Sequence, residues 1–126
     1  MKALTKAEEQ IMQILWNLKE AVVKEVVVGF KEQKPAYTTV ATVLKVLTKK
    51  GFVDHRKIGN TYLFSPAISK KEYTKFQFSS LLKNYFNGSL PKMATFFAKE
   101  NNLSISELEE MLTITEKELK KDDKTE

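Results

Sequence analysis

The chain has 126 residues, 42% of them hydrophobic, with eight Phe and a formal net charge of +5. That is enough apolar material for one packed domain, or a small domain with an appendage, and it argues against global disorder. The absence of cysteine excludes disulfides, thiolate metal sites and cysteine nucleophiles, and a single His excludes a multi-His metal centre.

The positive charge permits a polyanionic partner without demanding one. No apolar run is long enough to cross a bilayer, and Met1 to Gln10 lack the apolar core of a signal peptide. A cytoplasmic protein is therefore expected.

A first helix is predicted from Thr5. Thr5 and Glu8 have the capping-box spacing, in which each side chain satisfies a backbone N–H at the helix start. Ile11, Met12, Ile14, Leu15 and Leu18 follow at helical spacing, with Trp16 beside them as a core residue. A second helix is expected over residues 21–33, with Val22, Val23, Val26, Val27 and Phe30 as its buried side. The run Val26-Val27-Val28 also suits a strand, but Lys24, Glu25, Lys31 and Glu32 keep the other face polar and favour helix. Lys34-Pro35 ends it.

Residues 37–50 read as a third helix with two unlike faces. Val40, Val43, Leu44 and Leu47 form the apolar stripe, while Thr38, Ala41, Thr42, Lys45 and Lys49 share the opposite side. That side is short at its N-terminal end and cationic at its C-terminal end. Short side chains permit close approach to a surface, and a Thr methyl can touch the methyl of thymine. Lysines further along can meet phosphates, Lys50 among them. Thr38, Thr39 and Thr42 are candidates near base edges, with helix capping an equal alternative for Thr38 or Thr39. Gly51 stops the helix.

Two strand-like runs then flank Ile58-Gly59-Asn60, whose residues tolerate positive φ at a tight turn. Arg56 and Lys57 lie near the tip, as candidates for phosphate or minor-groove contact. His55 is expected as a strand-surface residue. The order helix, helix, helix, hairpin within residues 1–66 is that of a winged helix-turn-helix.

Beyond Ile68 the composition shifts to helices rich in large apolar residues. Ser69 with Glu72 opens one, reaching Asn87. Leu90 to Asn101 forms another with Pro91 near its start, and Ser104 with Glu107 opens a last one. Tyr73, Phe76, Leu82, Phe86, Met93, Phe97, Leu108 and Leu112 are candidates for core or dimer interface. Three short helices bury little by themselves, so this apolar excess is expected to face a second copy. The fold expected is mostly α: a winged helix over 1–67, a three-helix dimerisation domain over 68–115, and a polar tail over 116–126 that frays.

Enzyme signatures are absent. Four Gly leave no phosphate-binding loop, and the carboxylate pairs Glu8-Glu9 and Glu109-Glu110 lie on faces expected to be exposed. No cofactor or small-molecule ligand is expected.

These residues carry a resemblance. Leu4-Thr5-x-x-Glu8-x-x-Ile11-Met12-x-x-Leu15-Trp16 is similar to the opening signature of the BlaI/MecI/CopY family of bacterial repressors. Tyr37-Thr38-Thr39-Val40-x-Thr42-Val43-Leu44-x-x-Leu47-x-x-Lys50-Gly51-Phe52-Val53 resembles that family's recognition helix and first wing strand. Tyr62-x-Phe64-x-Pro66-x-Ile68-Ser69-x-x-Glu72-Tyr73 resembles its link to the dimerisation helices. The resemblance implies a homodimer that binds a palindromic operator in double-stranded DNA, with helix 37–50 in the major groove, and represses transcription. It also implies a membrane-bound sensor protease as a partner, which cuts the repressor in its dimerisation region.

Three departures stand out. Val46 occupies a position where the family commonly has Arg. The lack of cysteine removes the copper-binding motif of the copper-responsive members. Ser80-Leu81 aligns with the cleaved Asn-Phe bond of the penicillinase-type members, and Asn84-Tyr85 lies nearby, so these four residues form the candidate cleavage region. The second reading is a protein-interaction module, with a winged helix that has lost DNA binding and aromatic C-terminal helices that hold a protein partner.

Overall fold

The structure is a computed structural model that describes residues 1–125. It is mostly helical with one antiparallel hairpin, in the order α1 (Lys6–Leu18), α2 (Val23–Val28), α3 (Tyr37–Lys49), β1 (Val53–Ile58), β2 (Thr61–Pro66), α4 (Lys70–Phe86), α5 (Leu90–Glu100) and α6 (Ile105–Thr125). Residues divide into two compact units, Met1–Phe78 and Ser79–Glu126. The expected domain boundary lay at residues 67 and 68. Here the first part of α4 belongs with the winged helix.

Thr5 begins α1 with the full reciprocal cap: Glu8 N–H donates to Thr5 Oγ1 at 3.2 Å, and Thr5 N–H to a Glu8 carboxylate oxygen at 2.8 Å. The Ser69–Glu72 and Ser104–Glu107 pairs cap α4 and α6, with N–H to Oγ distances of 3.0 and 3.1 Å. Ile11, Met12 and Leu15 from α1 meet Val23 and Val26 from α2 and Val40, Leu44 and Leu47 from α3 in one core. Phe52, Val53 and Phe64 of the hairpin region close it. Trp16 donates its indole N–H to the Ile68 carbonyl at 2.8 Å, and Tyr73 packs its ring on Trp16 and Phe52. The Tyr73 hydroxyl accepts from the Leu4 N–H at 2.8 Å. Tyr73 is thus a core residue of the first unit.

The helix expected over residues 21–33 is corrected: α2 covers only Val23–Val28. Ala21 forms a two-way bridge with Phe64, accepting from and donating to its backbone at 2.8 and 2.9 Å. This pulls Ala21 out of the helix and makes it a third, single-residue strand beside the hairpin. Val22 follows with extended backbone. At the other end Gly29 caps α2, and the ammonium of Lys34 donates to the Val28 and Phe30 carbonyls at 2.8 and 3.0 Å.

In the hairpin, Val53 pairs with Pro66 and Ile58 with Thr61, which leaves Gly59 and Asn60 as the turn. Only Gly59 of the two has positive φ, at 58°, so the Gly is what admits the tight connection.

In the second unit, Ser89 caps α5 by accepting from Lys92 N–H at 3.2 Å, and Phe86 packs on Phe96. Its last helix, α6, extends well past residue 115 to Thr125, so residues expected to fray are helical. Glu126, the end of that expected tail, lies outside the described residues.

Candidate nucleic-acid interface

The core dictates which side of α3 is free. Val40, Leu44 and Leu47 are fully buried, so the residues half a turn away must face out. Thr38, Thr39, Thr42, Lys45, Val46 and Lys49 are all exposed along that outward stripe, and Ala41 is half-buried at its flank.

The first turn of α3 has no side-chain cap. The N-cap is Ala36, and neither Thr38 nor Thr39 serves as one. Among the described residues no side chain accepts from the N–H groups of Tyr37, Thr38 and Thr39. Free N–H groups at the positive end of a helix dipole form an anion-binding feature when they meet a phosphate. Thr42 donates its hydroxyl to the Thr38 carbonyl at 2.8 Å, and Thr48 does the same to Leu44 at 2.8 Å.

The three lysines at the end of α3 divide. Lys45 and Lys49 project from the outward stripe. Lys50 turns inward, its ammonium 2.7 Å from a carboxylate oxygen of Glu8. Glu8 is buried, which by itself would push its carboxyl pKa up. Hydrogen bonds from Lys50 and from the backbone and hydroxyl of Thr5 outweigh that and hold it below the ordinary carboxylate range. Glu8 was expected on an exposed face. It is instead the internal counter-ion of Lys50, which leaves Lys50 poorly placed to neutralise a phosphate.

The hairpin stands beside the cationic end of α3. A cleft of about 430 Å³ marks the junction, with Lys45, Thr48 and Lys49 as one wall and His55, Tyr62 and Phe64 as the other. His55 is exposed on β1, with its ring 5.2 Å from that of Tyr62 and 6.1 Å from that of Phe64. Tyr62 was not among the site residues expected from sequence. The signal was available in the strand period, since Tyr62 and Phe64 alternate on one face of β2 and His55 pairs with Phe64 in register. Arg56 and Lys57 are exposed on β1 next to the turn. Arg56 lies 3.9 Å from Glu20, both side chains well exposed, an ion pair too weak to tie the guanidinium down.

The candidate cleavage residues Ser80, Leu81, Asn84 and Tyr85 all lie inside α4. Tyr85 is 76% exposed, but helical backbone does not fit the extended geometry of a protease cleft, so cutting there needs local unwinding. Of the remaining dimer candidates, Phe76 is half-buried against the first unit's core. In the second unit Leu82, Phe86 and Met93 are half-buried, and Phe97, Leu108 and Leu112 are exposed.

The model of the penicillinase repressor family matches residues 4–117. The penicillinase repressor of Bacillus licheniformis is 30% identical over 117 residues, covering 90% of this chain and 89% of that protein. The methicillin resistance regulatory protein MecI of Staphylococcus aureus (strain N315) is 24% identical over 115 residues, covering 90% and 94%. Among solved structures, the DNA-binding domain of the repressor BlaI is similar to 58% of this chain and 94% of its own. It has a TM-score of 0.50 and 28% identity.

Proposed function

The chain belongs to the penicillinase repressor family, and from that premise we propose that it is a DNA-binding transcriptional repressor that acts as a homodimer on a palindromic operator. The observation that carries the reading is α3 itself. Its outward stripe begins with uncapped N–H groups and short side chains and ends with two free lysines beside a basic hairpin. A major groove accepts such a helix, with Thr38, Thr39, Ala41 and Thr42 near base edges and Lys45 and Lys49 against the phosphates. Arg56 and Lys57 extend the contact to the adjacent backbone or minor groove.

The exposed apolar side chains of the second unit support two-fold symmetry, because a second copy would cover them. A dimer places two α3 helices on two half-sites and so explains how a small reader gains affinity.

The test is binding of the purified chain to duplex DNA from upstream of its own gene, against random duplex, across a range of salt concentrations. Tight, palindrome-dependent binding that weakens steeply with salt supports the repressor. Weak binding that treats both duplexes alike overturns it and favours the protein-interaction module.

A further inference from the structure

The outward stripe of α3 contains no Arg, Asn or Gln. Those, together with Lys, are the side chains that hold a guanine or adenine edge with two hydrogen bonds. Lys45 and Lys49 are engaged by the phosphates in this reading. Past the first turn the uncharged polar side chain on the stripe is Thr42, and its hydroxyl proton is already given to the Thr38 carbonyl at 2.8 Å. What Thr42 turns to the outside is a methyl group and an acceptor. One turn further on stands Val46, 38% exposed between Lys45 and Lys49 on the stripe. Both side chains are β-branched and stiff, so they present methyl groups in fixed positions.

We infer that Thr42 and Val46 read the C5-methyl groups of thymine in the major groove, so that each half-site carries thymine under both side chains. This deepens the DNA-binding reading and rests on it. A helical turn advances about 5.4 Å and a base-pair step about 3.4 Å. The two thymines are therefore neighbours or are separated by a single base pair. Val46 is then a specificity residue, reading a methyl group where a longer cation would reach for guanine or phosphate.

The test uses the full-length chain and the duplex from upstream of its own gene, with each thymine replaced in turn by deoxyuridine. That change removes the methyl and keeps every hydrogen-bonding group. Affinity should fall about fourfold at each of the two positions, the worth of one methyl group in apolar contact. It should not change elsewhere in the half-site. Thr42→Ser keeps the hydroxyl but removes the methyl, and Val46→Ala shortens the other side chain. Each variant should lose the uracil effect at its own position and keep it at the other, with an unaltered circular dichroism spectrum. A chain that prefers this duplex but is indifferent to uracil everywhere overturns the inference alone. So does a uracil effect that survives both substitutions. A chain that binds all duplexes alike overturns the inference together with the repressor reading.

Discussion

Glu8 shows how much one side chain can be asked to do. Its carboxylate closes the cap of α1 through Thr5 and pairs with Lys50 just past the end of α3, at 4% exposure. With its folded pKa held below the ordinary range, it stabilises the fold at neutral pH. That contribution is present above the unfolded carboxylate pKa and is lost as pH falls through the folded value. Glu8→Gln should therefore lower stability at pH 7 and flatten the acid limb of the stability curve, measured by urea unfolding at several pH values. An unchanged acid limb would remove Glu8 from the groups that control it. Lys50→Met strands a buried carboxylate and should cost about 1–3 kcal/mol. Because Lys50 is engaged internally, the same variant should leave the salt slope of DNA binding as it is. A flatter slope would return Lys50 to the phosphate contacts.

At the scale of elements, α1, α3, the hairpin turn and the three Ser/Thr–Glu helix caps were legible in the sequence, because each is specified by local spacing or by a residue of unusual backbone freedom. The second helix was not. Periodicity over residues 21–33 is the same whether Ala21 starts a helix or bridges to Phe64, and the bridge partner is far along the chain. Burial of Glu8 was hidden for the same reason, since Lys50 lies far from it in sequence. Gly29 carries a related long-range demand. A Cβ there would sit 2.5 Å from Ile14 Cγ2 and 3.2 Å from the Val26 carbonyl oxygen, so only glycine lets the end of α2 lie this close to α1. Gly29→Ala should destabilise the first unit by about 1–3 kcal/mol, and Ile14→Ala in the same chain should recover part of that loss in a urea titration. Additive losses would mean the clash is relieved elsewhere. For α3, the double substitution Lys45→Ala with Lys49→Ala should weaken binding to all duplexes and reduce the salt slope by about 2, near one unit for each ammonium withdrawn from a phosphate. An unchanged slope would take both lysines off the backbone.

At the scale of the molecule, the two units differ in how they use apolar residues. The first buries Met12, Leu15, Val26, Val40, Leu44 and Leu47 almost completely. From Ser79 to Asp123 no described side chain is buried, although Leu81, Tyr85, Phe96, Phe97, Leu108, Met111, Leu112 and Ile114 are large and 40–76% exposed. A water-soluble surface with so much apolar area is unusual unless something covers it. The charge pattern of α6 fits a second copy, since its apolar residues recur at helical spacing between carboxylates and lysines that keep the far face wet. The chain should therefore sediment as a dimer, and Phe97→Glu with Leu112→Glu should convert it to a monomer, because two carboxylates cannot be buried without partners. The winged helix should keep its thermal transition, as none of its core residues is touched. Operator affinity should fall by far more than nonspecific affinity, because half-site spacing matters only when two α3 helices bind together. A double variant that stays dimeric would move the interface away from Phe97 and Leu112. A wild-type chain that is monomeric yet prefers a palindrome would break the link between the exposed face and symmetric binding.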